Sequence, residues 1–253
     1  MFPTIQIGPA AVQTSILAFI LALWLGTAIA ERESTRRDLS GDNAWSVVVI
    51  AVAATIIFAR LIYVAQNLAA YASDWRAIFS LTSGTLSLGY GAAFGFVAAL
   101  AYVQRRKIPL ARFADALAPG ALVALVILAL GQFLSGDAYG APTEVPWAIE
   151  LYGEPRHPVQ LYDAVAALIG VSIIWRAAQK QLANGSIALL AIAWASGARV
   201  LTEAFRGDAF VLPGGYRSAQ IIGLIVLLLA LLLMARLSTR NEKRDGKDAN
   251  AQI

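Results

Sequence analysis

Seven apolar stretches, separated by polar ones, run along the chain at roughly 10–30, 45–66, 86–104, 114–134, 159–176, 184–204 and 218–236. Each is close to the roughly 20 residues that a helix needs to cross a bilayer. The pattern predicts an all-α polytopic membrane protein with seven transmembrane helices. Stretches three and four contain "SGTLSLGYGAAFGF" and "ALAPGALVA", rich in small residues and including Pro119. Small residues let helices approach closely, so these two are expected at the centre of the bundle. Most polar connections are short, but 135–158 is long. Its aromatics and prolines predict an ordered lid or head region rather than an idle connector. Residues 1–236 thus read as one membrane domain. Residues 237–253 read as a polar cytoplasmic tail without fixed structure.

Charge then orients the bundle. Of the twenty Lys and Arg, fourteen fall in 31–44, 105–113, 176–183 and the tail, and only four in the alternate connections. Basic loops stay in the cytoplasm. The N-terminus is therefore expected outside and the C-terminus inside. The net charge of +4 is a topology signal and implies no nucleic-acid partner. The first thirty residues carry no charge, so they lack the basic start of a signal peptide and read as a retained helix.

Composition narrows the chemistry. The chain is 58% hydrophobic and 14% charged, with no Cys and one His. That excludes disulfides and a thiol nucleophile in this chain, and it argues against a metal site. No cofactor is expected.

The charges inside the spans are the candidate chemistry, because burying them in lipid is costly. Arg60, Asp163, Arg199 and Glu203 fall at one depth, on the expected outer side. Gln132, Asp137, Arg156 and His157 lie just beyond. Arg199 and Glu203 are four residues apart, on one helix face, and can pair. Arg60, Arg199 and Arg206 suit an anionic group, since the guanidinium fork matches phosphate. Asp115 reads as structural, favourable to the dipole of its own first helical turn. Packing ion pairs, a lipid cavity and a transporter relay all fit these charges; no repeated half supports the relay.

Four segments then decide the family. "GDAYGAPTEVPW", "RHPVQLYDA", "ARVLTEAFRGDAF" and "YRSAQIIGLI" together resemble the prolipoprotein diacylglyceryl transferases, in order and spacing, over about residues 8–236. The resemblance implies a multi-pass enzyme of the bacterial cytoplasmic (inner) membrane. Such enzymes move diacylglyceryl from phosphatidylglycerol to the thiol of a lipobox cysteine in a prolipoprotein. It carries over the catalytic candidates Arg199, Glu203, Asp137 and His157. It also carries over the lipid-binding candidates Arg60, Gln132, Gly140, Arg156, Tyr162, Arg199, Arg206 and Gln220.

The chain departs from the family pattern at several places, among them Gln132 for an Asn and Asp137 for a Glu. Leu88 stands where the family has a His implicated in catalysis, and Ala129 where it has an Arg. Ser15 and Ala195 stand at two family tyrosines. Leucine accepts no proton, and a lost arginine removes a charge-assisted contact. Two readings follow: a divergent transferase, or a non-catalytic paralogue that binds phosphatidylglycerol or another anionic phospholipid, or serves as a subunit of a membrane complex.

Overall fold

The computed structural model describes residues 1–71, 75–79, 84–180 and 182–250; the side chains of residues 7, 10 and 240–250 are left aside. The chain opens with a hairpin, β1 (Thr4–Ile7) and β2 (Ala10–Gln13), paired from Thr4 opposite Gln13 to Ile7 opposite Ala10. Gly8 turns it with φ of 59°, a conformation that only glycine adopts at little cost. Then follow α1 (Thr14–Arg36), α2 (Asp42–Gln66), the short α3 (Leu68–Tyr71) and a 3-10 turn, Trp75–Phe79. After these come α4 (Leu88–Arg105) and α5 (Leu110–Ser135). A second hairpin, β3 (Ile149–Leu151) with β4 (Glu154–Arg156), precedes α6 (Val159–Ala178), α7 (Ser186–Thr202) and α8 (Ser218–Asn250).

Among the described residues, six helices are long and apolar enough to cross a membrane: Thr14–Arg36, Asp42–Gln66, Leu110–Ser135, Val159–Ala178, Ser186–Phe205 and Ser218–Thr239. The chain is a multi-pass membrane protein. The expected span at 86–104 forms α4 but is not among the six. It is only 18 residues long and spends three of them on glycine and its end on Gln104 and Arg105. The outward faces carry Phe19, Ile20, Trp24, Ile57, Leu168 and Leu232, all well exposed. Apolar surface this extensive is stable against acyl chains rather than water.

The predicted centre is half right. α5 is central: it packs against α1, α6 and α7. α4 packs chiefly against α2 and lies at the edge. Two of its glycines, Gly91 and Gly95, serve that one contact. A Cβ on Gly91 would stand 2.4 Å from the Thr55 carbonyl oxygen, and one on Gly95 2.6 Å from that of Ala51. The same device joins α1 to α5. A Cβ on Gly120 would lie 2.1 Å from the Gly26 carbonyl oxygen.

Two further expectations change. Asp115 lies in the second turn of α5, not its first, and it serves a neighbour. Its carboxylate is 1% exposed and accepts the backbone N–H of Gly185 at 2.7 Å and of Ala188 at 2.8 Å. It thus caps the start of α7, whose first N–H groups have no partner within the helix. Arg37 Nη1 stands 3.8 Å from the same carboxylate. The apolar, membrane-crossing part of α8 runs over Ser218–Thr239, close to the expected end at 236, and the helical backbone continues to Asn250. Lys, Arg and Glu propagate a helix well once it has started. Residues 251–253 of the expected tail lie outside the described residues.

Candidate functional site

The segment after α5 is woven into a fixed platform. Gly136 ends α5 with φ of 84°, its N–H bonded to the Gln132 carbonyl at 2.9 Å. This left-handed cap turns the chain sharply out of the helix. Residues 139–141 then run between two other strands. Ala141 N donates to Phe205 O at 2.8 Å and Gly207 N to Tyr139 O at 3.0 Å, while His157 N donates to Ala141 O at 3.0 Å. Gly140 is required here, because a Cβ would stand 2.1 Å from the His157 carbonyl oxygen. The segment is held by the β3–β4 hairpin and these bridges.

Beneath this platform lies a charged cluster. Arg199 Nη2 is 2.8 Å from Glu203 Oε2, and its Nη1 is 3.8 Å from Asp163 Oδ2. Arg206 Nη1 is 3.4 Å from the same Asp163 oxygen. Arg206 also grips Asp208 with two nitrogens, each at 2.9 Å. Arg217 donates to the backbone carbonyls of Glu203 and Arg206. Two arginines thus face three carboxylates, and Arg217 braces the backbone that carries them. Glu203 and Arg206 are buried, yet no donor among the described residues is aligned on Glu203 Oε2 for a hydrogen bond. Arg199, 39% exposed in its side chain, is the guanidinium of this set that reaches free space.

That space is a cavity of about 490 Å³ between α5, α6, α7 and α8. Arg199 and Asp163 are the charged residues on its wall, with Gln132, Trp194 and Ser196 as further polar groups. The rest is apolar, including Leu125, Leu128, Ile222 and Val226. Such a wall offers one place for an ionic head and a long surface for hydrocarbon.

The sequence-predicted residues divide into groups. Arg199, Glu203 and Arg206 come together as expected, and Gln132 joins Arg199 at the cavity. Gln220 lies at the start of α8, where Nε2 donates to Val200 O at 3.2 Å. His157 does not reach the cluster. Its Nδ1 is 3.2 Å from the Tyr162 hydroxyl, and its ring packs edge-on to Phe205 at 5.0 Å. Tyr162 in turn accepts from Trp147 Nε1 at 2.7 Å. Arg156 is spent on the platform: it donates to Leu151 O and Gly140 O and pairs with Glu154 at 2.6 Å. Asp137 is exposed, its carboxylate accepting from Ser135 Oγ at 2.8 Å and its carbonyl from Gln160 Nε2 at 2.8 Å.

Arg60, expected at the depth of Arg199, lies elsewhere in the bundle. Its guanidinium donates to the carbonyls of Ile78 at 2.7 Å and Thr85 at 3.0 Å, and also to Ala77. It sits 5.3 Å from the Tyr71 ring. It ties down the connection between α2 and α4.

The departures from the family pattern also separate. Ala129 and Ala195 both line the cavity, beside Arg199 and Asp163. Leu88 starts α4 and is 57% exposed, away from that wall. Sequence reasoning had Asp163 among the membrane charges but not in the site, and it passed over Asp208 and Arg217. The signal for Asp208 was its place two residues after Arg206, a spacing that does not pair on a helix.

A protein-family model described as "Prolipoprotein diacylglyceryl transferase" matches residues 4–236. A relative from Clostridioides difficile (strain 630) is 30% identical over 226 residues, covering 88% of this chain and 90% of that protein. One from Lysinibacillus sphaericus is 29% identical, covering 89% and 88%. One from Corynebacterium diphtheriae is 27% identical, again covering 89% and 88%. All three are named phosphatidylglycerol–prolipoprotein diacylglyceryl transferase.

Proposed function

This chain belongs to the prolipoprotein diacylglyceryl transferase family, and we propose that it performs that transfer in the cavity walled by Arg199 and Asp163. The substrates are phosphatidylglycerol, as the relatives' names state, and the thiol of a prolipoprotein cysteine. The thiolate sulfur attacks the glyceryl carbon that bears the phosphate. A C–S bond forms, the C–O bond breaks, and glycerol phosphate leaves with the electron pair. The chain's lack of cysteine agrees with a nucleophile supplied by the substrate.

The observation that carries this reading is the pairing of Arg199 with Asp163 at the polar head of an apolar cavity. Arg199 holds the phosphate and stabilises it as charge develops on the leaving oxygen. Asp163, the carboxylate on the wall, takes the thiol proton. Glu203 and Arg206 act through Arg199 and Asp163: Glu203 fixes the Arg199 fork, and Arg206 holds Asp163 from behind. Gln132 adds a neutral donor to the head group. His157 and Arg156 shape the platform that covers the site. Seven spans with α4 included, the N-terminus outside and the site facing the outer leaflet of the bacterial inner membrane complete the reading. The basic loops support it.

A second reading has a specific observation behind it. Ala129 and Ala195 lie in the cavity wall at positions where the family carries an Arg and a Tyr. A non-catalytic lipid-binding paralogue, or subunit of a membrane complex, would keep the pocket and lose such groups. The test is transfer of a labelled diacylglyceryl group from phosphatidylglycerol to a lipobox peptide by the purified chain. Thioether formation that disappears in Arg199→Ala supports the enzyme. Phosphatidylglycerol binding with no thioether product establishes the paralogue instead.

A further inference from the structure

The far end of the same helices holds a second cavity, of about 330 Å³, between α1, α5 and α6. Its floor is Ile29, Val123, Val171 and Ala178, and its mouth carries Arg32, Arg36 and Gln179. It is separate from the first. Trp175 lies twelve residues, about 18 Å of helix, from Asp163, and Val123 faces away from the cavity that Leu122 lines. Pro119 sits in its wall. Lacking an N–H, it breaks the ladder of α5 at that level.

The rim has three features that point to one ligand. Arg32 has no ion-pair partner among the described residues and is exposed. Arg36 pairs with Glu33 at 2.8 Å, but its side chain is 68% exposed, so water and salt screen that pair and leave it open to exchange. Trp175 is 69% exposed beside them, and an exposed indole suits the depth of lipid glycerol and head groups. The volume is at the small end of ligand pockets, roughly 300–1,000 Å³. It accepts a hydrocarbon chain and excludes a helix about 10 Å wide.

We propose that this cavity is a second lipid site, which binds an anionic phospholipid from the leaflet opposite the reaction. One acyl chain lies on Val123, Val171 and Ala178. Arg32 and Arg36 hold the phosphate, and Trp175 flanks the glycerol. A zwitterionic lipid fits less well, because its cationic group meets two arginines and a single carboxylate, Glu33. Arg37 stands at the same end, with the basic segment Arg105, Arg106 and Lys107, which raises the local concentration of anionic lipid.

Native mass spectrometry of the full chain from mixed phosphatidylglycerol and phosphatidylcholine bilayers tests it. The wild type is expected to retain two phosphatidylglycerol molecules. Arg32→Gln with Arg36→Gln loses one and keeps the Arg199-dependent one, and Arg199→Gln does the reverse. The second readout is quenching of Trp175 by brominated acyl chains, taken as the difference from Trp175→Phe. Brominated phosphatidylglycerol should half-quench at a mole fraction at least three-fold lower than brominated phosphatidylcholine. Soluble glycerol phosphate should not relieve the quenching. Equal quenching by both lipids, an unchanged lipid count in the double variant, or displacement by glycerol phosphate would each overturn the proposal. None of these readouts needs transferase activity, so a catalytically silent chain gives the same answer.

Discussion

Asp163 holds its Oδ2 3.8 Å from the guanidinium of Arg199, on the wall of the cavity that both residues share. The carboxylate occupies the position where a bound phosphate would be drawn. It is both the internal counter-ion of Arg199 and the acceptor proposed for the thiol proton. Asp163→Asn separates these two roles. Phosphatidylglycerol retention should rise several-fold, because Arg199 loses a competitor. Transfer should fall by about 10²-fold or more, the usual contribution of a positioned base. Unchanged transfer in a well-folded Asp163→Asn chain would remove it from the chemistry.

Ala129 offers the opposite manipulation. It lines the cavity beside Arg199 where the family carries an arginine. Ala129→Arg should add a charge-assisted contact worth roughly 1.5–3 kcal/mol, which is about ten- to a hundred-fold in affinity for phosphatidylglycerol. A lipid titration that shows no gain would mean the head group lies elsewhere.

Arg206 is a stability prediction. It is buried and touches Asp163, Glu203 and Asp208. Arg206→Ala leaves that many carboxylates with a partner missing, at a cost of about 3–5 kcal/mol for a broken buried pair. Arg206→Lys should recover only part of this, since an ammonium cannot grip Asp208 with two nitrogens at once. Thermal unfolding in detergent, followed by tryptophan fluorescence, orders the three chains. Equal midpoints for the Ala and Lys variants would contradict the two-nitrogen grip.

Asp115 predicts a local effect at the other end of the bundle. Asp115→Ala removes the acceptor for Gly185 and Ala188 N–H. Buried donors left without partners cost about 1–3 kcal/mol each. Hydrogen exchange should accelerate at the start of α7 before it does at the Arg199 cluster. Uniform acceleration would mean that the cap supports the whole bundle.

Gly140 tests the platform. Gly140→Ala puts a methyl group 2.1 Å from the His157 carbonyl, and both are backbone-fixed. The 139–141 segment must leave its place between 156–157 and 205–207. Protease cleavage within 135–158 should become at least ten-fold faster, while the helices stay intact. An unaltered cleavage rate would show that the loop absorbs the methyl.

Hydropathy made the helices legible, and it placed charges by depth along the membrane normal. Depth is one coordinate of three. The hydropathy pattern sets Arg60 and Arg199 at one depth, yet Arg60 binds the carbonyls of Ile78 and Thr85 on the α2–α4 side. No periodicity states which helix stands beside which. The same limit misplaced α4, since small residues announce a close contact but not the number of partners. Arg199 with Glu203 was readable because helix geometry fixes the i, i+4 neighbour. Arg206 with Asp208 was not, because their contact forms in the turn beyond the helix.

The close contacts of the glycines also imply an order of assembly. Gly91 and Gly95 seat α4 on α2, its sequence neighbour, so that pair can close as soon as both helices have left the ribosome. α1 seats Gly26 on Gly120, and some ninety residues must be synthesised before that partner exists. During insertion α1 therefore spends its time against lipid, or against a helper protein, with its small-residue stripe uncovered. α1 is made before α2 and α4, yet it finds its place only after they have paired.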